Sequence, residues 1–386
     1  MFAFDALPPL ALYVHWPWCV RKCPYCDFNS HAASASLPEN EYVAALLRDL
    51  EHDLPRVWGR RVRSIFIGGG TPSLMRPESV ESLLAGIRAR IPLAPEAEIS
   101  LEANPGATDT ARLRGYREAG VNRLSIGVQS FHAGHLARLG RIHGPADALR
   151  AADAARAAGF DNFNLDLMYG LPEQSPAEAE HDVRTALALA PAHLSAYQLT
   201  IEPNTAFANQ PPALPDDEVL AEIETAVHAQ LHARGFRQYE VSAWAWPGRE
   251  CAHNLNYWQF GDYLGIGAGA HAKITDATGI TRLIKPRHPA AFMRDAGAPA
   301  GILDERRLTP ADAAFEFMLN ALRLTAGVPM SRFRERAGLA EAKIAPLLDT
   351  ARRRGLISHD SETLRATAHG QRYLNDLTAL FLPDAA

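Results

Sequence analysis

Leu10–His31 reads "LALYVHWPWCVRKCPYCDFNSH", an apolar run rich in β-favouring residues followed at once by three cysteines spaced CxxxCxxC. A run bounded this way has the composition of a buried strand, and it places the cysteines in the loop where that strand ends. Five more runs look like strands: "SIFIGGG" (64–70), "EISLEANP" (98–105), "RLSIGVQS" (123–130), "FNLDLMYG" (163–170) and "LSAYQLTI" (194–201). Helix-patterned segments lie between and after them, over 38–54, 77–91, 108–120, 144–159, 175–189 and 215–235. Six alternations of strand and helix call for right-handed crossovers and a parallel sheet covered by helices, either doubly wound or curled into a barrel.

Polar residues choose between these. His15, "GGGTP", Glu102 with Asn104, Gln129, Asp166 and Gln198 gather toward the ends of all six strands. A barrel builds its site from several strand ends, whereas an open doubly wound sheet concentrates it at one switch point. The expected fold is therefore α/β, a partial (β/α)6 barrel over 1–285. After Ile284 the rhythm stops, and "KPRHPAAFMRDAGAPAGI" reads as a connecting stretch rich in Pro, Ala and Gly. A smaller, mostly helical unit is expected over 286–386. Its first helix has Thr309 as N-cap, Pro310 at the first position, an apolar stripe through Phe315, Met318, Leu319 and Leu322, and Gly327 at its close. Two more helices, a hairpin over 356–367 and a last helix over 370–382 follow, an order like that of a winged helix. Nucleic-acid binding does not follow from that order.

The chain has 386 residues, a formal net charge of -5, 47% hydrophobic and 22% charged residues. These are ordinary values for a folded protein of enzyme size, and they provide no global field to attract nucleic acid or anionic lipid. The opening "MFAFDALPPLALYVHW" is interrupted by Asp5, Pro8 and Pro9 and does not read as a signal peptide. No apolar run reaches the length of a bilayer span, so any membrane contact is expected to be peripheral and the location cytoplasmic.

Three clustered cysteines and one distant one suit a reduced compartment, where such clusters bind metal or do redox chemistry. A closed zinc site wants four ligands; His31 or His15 could complete a Cys3His set. A cluster of four irons normally takes four cysteines, so three leave one iron open to a small molecule.

CxxxCxxC with an aromatic residue, Tyr25, just before the last cysteine resembles the radical S-adenosylmethionine (SAM) superfamily. The resemblance implies a [4Fe–4S] cluster on Cys19, Cys23 and Cys26, with SAM chelating the open iron through its amino and carboxylate groups. It also implies reductive cleavage of SAM to a 5′-deoxyadenosyl radical. "GGGTP", "LEANP", "GVQSF", "LGRIH" and "DLMYGLP" extend the likeness to the oxygen-independent coproporphyrinogen dehydrogenase (HemN-like) group over nearly the whole chain. By that resemblance Tyr13, Gly69, Gly70, Thr71 and Glu102 contact SAM, while Gln129, Arg141 and Asp166 match positions that hold a second SAM in the dehydrogenase. Each of these polar residues could instead serve an internal ion pair or cap.

Two departures separate the chain from the dehydrogenase. Its motif continues with another cysteine, CxxxCxxCxC, where this chain has Cys26, Asp27 and Phe28. The segment "CAHNLNYWQF" resembles the HNxxYW signature of haem chaperones, the HemW branch of the group. That likeness implies haem near His253, with Tyr257 and Trp258 offering flat faces, and delivery to respiratory haem-accepting apoproteins. Porphyrinogen decarboxylation remains the alternative. A histidine beside aromatic residues is, on its own, more often a packed core residue. Cys251 reads as a further ligand or a buried apolar side chain, and His271 as a residue of the SAM pocket.

Overall fold

The computed structural model describes residues 2–34 and 36–383. Leu10–Trp16 (β1), Val62–Gly69 (β2), Leu93–Ala103 (β3), Arg123–Gln129 (β4), Phe163–Tyr169 (β5) and His193–Gln198 (β6) lie side by side in chain order. Every neighbouring pair is parallel. An order without reversal has no switch point, and so the six strands form one arc with their carboxyl ends on the same rim.

Helices Glu39–Asp53 (α1), Pro77–Arg88 (α2), Thr110–Ala119 (α3), Pro145–Ala157 (α4), Pro176–Ala188 (α5) and Asp217–Ala233 (α6) connect and follow the strands. Their limits follow from local chemistry. Ser175 and Glu178 form a reciprocal capping box at the start of α5, and Asp109 caps α3 while Gly120, at φ 110°, ends it in the left-handed region. Val80, Leu83, Leu84 and Ile87 recur at helical spacing on α2 and are buried in the core that the strands share. Each such side chain contributes about 1.5–3 kcal/mol by leaving water.

The sheet does not stop at six strands. Arg237–Glu240 (β7) and Ala243–Ala245 (β8) form a hairpin whose second strand extends the β6 edge antiparallel. Asp262–Ile266 (β9) lies parallel to β1 on the other side, followed by the antiparallel His271–Asp276 (β10), Gly279–Ile284 (β11) and Asp304–Arg307 (β12). These flanks leave the arc open. The stretch expected to be a plain connector holds a helix, Pro289–Asp295, before β12.

A second hydrophobic cluster gathers Phe317, Phe333, Ile344, Leu348, Leu364 and Leu377, and Phe2 and Phe4 pack onto it from the other end of the chain. Its leading helix, Pro310–Ala321, starts as expected, with Thr309 and Asp312 capping each other's backbone. It ends well before Gly327, because Leu324 leaves the helix to bridge Glu240 of β7. The expected hairpin is present as the bridge between Ile357 and Ala366 and the pairing of Thr363–Leu364 with Val328–Pro329. The expected last helix is broken at Tyr373 into Ala368–Arg372 and Leu374–Ala379.

Candidate functional site

The carboxyl ends of β2–β6 and the cysteine loop that follows β1 surround a cavity of about 520 Å³. The cysteine loop forms one wall. Trp18–Cys19 pairs in parallel with His31–Ala32, so the loop doubles back on itself, and the Asn29 amide donates to the carbonyls of Ala268 and Arg287 at 2.9 and 2.8 Å. Cys19, Cys23 and Cys26 all line the cavity. Burial pushes the Cys19 and Cys26 thiols up from their ordinary values, and Arg141 Nη1 lies 3.7 Å from Cys23 Sγ.

The donor set fits a polynuclear cluster better than a single ion. A closed zinc site takes four ligands on one centre, so the three cysteines would need a histidine to complete it. A [4Fe–4S] cluster spreads its thiolates over separate irons. His15 is no fourth ligand: Nδ1 pairs with Tyr13 Oη at 3.0 Å and Nε2 with the Asn29 carbonyl at 2.8 Å. His31 Nε2 is unpartnered, its ring 5.6 Å from that of His288.

Strand β2 meets this loop through glycine. A Cβ on Gly70 would sit 2.6 Å from the Trp18 carbonyl oxygen, and one on Gly69, where φ is +116°, would strike the His15 ring. The Gly70 and Thr71 amides donate to the carbonyls of Trp16 and Trp18 at 2.6 and 2.8 Å. Glu102 Oε2 accepts from the Gly69 amide at 3.0 Å. Burial, with Asp166 nearby, pushes its carboxyl up to about 8. Asp166 is also raised by burial, although it accepts from Asn164 and Ser125 at 2.7 and 3.2 Å.

Gln129 reaches the cavity through a distortion of β4. The register slips between Ile126 and Gln129, a bulge that re-aims the strand end, and Gln129 adopts φ 70° although it is not glycine. Such strain persists where the surroundings enforce it; here Tyr197 donates to Gln129 Oε1 at 2.7 Å. Arg141 donates to the carbonyl of Gly127 in the same bulge at 2.8 Å.

Twelve of the fifteen residues proposed from sequence share the cavity wall: the three cysteines, Tyr25, Gly69, Gly70, Thr71, Glu102, Gln129, Arg141, Asp166 and Trp258. Asp166 does so from the middle of β5 rather than its end. Tyr13 lies outside the wall, bonded to His15 and stacked on Phe66.

The haem segment is split. On the short helix Ala252–Trp258, His253 and Tyr257 are four residues apart and share a face, while Trp258 is turned by a further residue. Trp258 lines the cavity, with Arg323 4.3 Å over its ring. His253 is 2% exposed and packed between Phe66 and Tyr257. Its Nδ1 meets Ser64 Oγ at 3.0 Å, its Nε2 is buried without a partner, and burial pushes its pKa down to about 3. Cys251 is a buried thiol donating to Glu98 at 3.3 Å. His271 is exposed at the start of β10, away from the cavity. Sequence reasoning overlooked Tyr197, Glu240 and Arg323, which carry no motif; only the position of Tyr197 near a strand end could have signalled it.

Residues 13–186 match the Radical SAM superfamily and residues 308–373 the HemN C-terminal domain. The chain is 52% identical over 379 residues to "Heme chaperone HemW" of Escherichia coli (strain K12), covering 98% of this chain and 99% of that one. It is 36% identical over 379 residues to the protein of the same name from Bacillus subtilis (strain 168), covering 96% and 98%. Among solved structures, the coproporphyrinogen III oxidase HemN from Escherichia coli superposes with a TM-score of 0.82 at 24% identity, over 97% of this chain and 90% of that one. That likeness establishes the shared fold. The full-length identities go further, and by them the chain belongs to the HemW family of heme chaperones within the radical SAM superfamily.

Proposed function

We propose that the chain binds haem and passes it to haem-accepting apoproteins, those of respiration being the acceptor class, on a scaffold that carries a [4Fe–4S] cluster and SAM. The observation that carries this is the 52% identity, along nearly the whole chain, to a protein named a heme chaperone. The cavity supports it by joining a three-cysteine wall to an indole face.

Cys19, Cys23 and Cys26 would hold the cluster. Gly69, Gly70, Thr71 and Glu102 would hold SAM, with Tyr13 steadying His15 beneath and Tyr25 beside the cysteines. When bound, the two supply one-electron chemistry; the protein supplies binding, orientation and exclusion of water. Asn29 pins the loop, Glu102 accepts hydroxyl protons, and Arg141 is placed to pair with a carboxylate. Gln129 and Asp166 would complete that side, as the dehydrogenase positions they match do.

Trp258 would offer the haem its flat face from the cavity. His253 suits iron chemically, because Ser64 fixes one ring nitrogen and leaves Nε2 free. Phe66 and Tyr257 cover it, so ligation requires those two rings to move aside. We place the barrel unit over 1–285 and the winged-helix-like unit over 286–386, which makes β12 a strap from the second onto the first. Cytoplasmic residence with peripheral membrane contact at most goes with this function; among the described residues no helix is long and apolar enough to cross a membrane.

Haem titration of anaerobically reconstituted protein tests the proposal. Stoichiometric binding, with a spectrum altered in His253→Ala, is expected; absence of haem binding overturns it. Turnover of coproporphyrinogen III to protoporphyrinogen by the same sample would make the chain a dehydrogenase instead.

A further inference from the structure

Among the described residues lining the cavity, Arg323 alone comes from beyond Leu308. Its guanidinium carbon lies 4.3 Å from the centre of the Trp258 ring, and its Nη2 donates to buried Glu240 at 2.8 Å. The backbone on either side is fixed: Leu324 bridges Glu240, the Thr325 amide donates to the Tyr239 carbonyl at 3.1 Å, and Thr325 Oγ1 donates to the Gln238 carbonyl at 2.6 Å. Arg323 is thus held in place before any ligand arrives. A guanidinium carries five N–H donors in a planar fork, and Glu240 engages only part of that fork.

Charge decides where an anion can settle. Asp27, Glu202 and Glu240 line the cavity and repel a carboxylate; burial favours the protonated forms of Glu102 and Asp166, which also line it. Arg141 answers them beside the cysteine loop. Arg323 answers them at the indole wall, where a planar ring can lie against Trp258 while its acidic substituent meets the fork.

We propose that Arg323, held against Trp258 by Glu240, is the recognition residue for the carboxylate of a planar ligand, which under the function proposed above is a haem propionate. The identity of the macrocycle rests on that function; the place of the carboxylate rests on Arg323 itself.

The test titrates haem and haem dimethyl ester, whose propionates are capped, into reconstituted wild type, Arg323→Lys and Arg323→Gln. Wild type is expected to bind the ester about tenfold or more weakly than haem. Arg323→Gln should lose about that factor for haem and almost nothing for the ester, and Arg323→Lys should recover part of it. The ester comparison in wild type needs no mutation, so a variant that misfolds leaves the inference open to refutation. Equal affinity of wild type for haem and ester overturns the inference while leaving haem binding intact. Equal losses for both ligands in a folded Arg323→Gln, with its cluster content unchanged, also overturn it. Wild type that binds no haem at all removes the proposed function as well.

Discussion

The two ends of the cavity are built on different principles. At the cysteine end a single loop and the next strand supply most of the wall, and backbone does much of the work: glycines approach carbonyls, amides are paired, and Asn29 ties the loop down. At the indole end, side chains from distant parts of the chain meet: Glu240 from β7, Trp258 from the end of Ala252–Trp258, and Arg323 from just after Pro310–Ala321. A binding wall made of backbone tolerates little change, whereas one made of side chains can be tuned residue by residue. The first suits a resident cofactor, and the second suits a ligand that must also leave.

Loss should therefore be steepest at the cysteine end. Replacing any of Cys19, Cys23 or Cys26 by alanine should remove the iron–sulfur chromophore almost entirely, as read by iron analysis and visible absorbance after anaerobic reconstitution. Haem bound at the other end should persist in part; complete loss of haem binding in these variants would erase the contrast. Gly70→Ala comes next. A Cβ 2.6 Å from the Trp18 carbonyl forces backbone apart, and the apoprotein should lose about 2 kcal/mol or more in denaturant unfolding, with SAM binding lost alongside.

Glu102 gives a pH-dependent version of the same point. Burial, with Asp166 nearby, pushes its carboxyl up from the ordinary 4.5 to about 8, so the folded apoprotein holds that proton more tightly than the unfolded chain. The penalty for ionising it is absent below pH 4.5, grows as pH rises, and is complete above 8. Glu102→Gln should remove it, making the variant relatively more stable at alkaline pH and flattening the slope of stability between those limits. Parallel profiles for wild type and variant would contradict the assignment. The smallest effect belongs to Trp258→Phe, which keeps a flat face but weakens the contact with Arg323; haem affinity should fall by roughly two- to fivefold.

The six parallel strands were legible because each holds a β-rich apolar stretch and alternates with a helix-patterned segment, several of which open on a cap such as Asp109, Ser175 or Asp216. The flanking strands were not. Asp304–Arg307 is charged and exposed along its whole length, and Ala243–Ala245 is three residues long. Neither carries a period to detect. The same divide runs through the site: the cysteine loop and glycine turn announce themselves in contiguous residues, while the Glu240–Arg323 pair joins positions 83 residues apart. The haem segment was found as a motif, but one step along a short helix turned Trp258 toward the cavity and left His253 in the core.

Mössbauer spectroscopy of protein reconstituted with isotopically enriched iron, recorded with and without SAM, tests the central claim most directly. One iron of the four should change its signal when SAM is added, while the three held by Cys19, Cys23 and Cys26 keep theirs. Four irons that ignore SAM, or a protein that assembles no such cluster, would contradict the account.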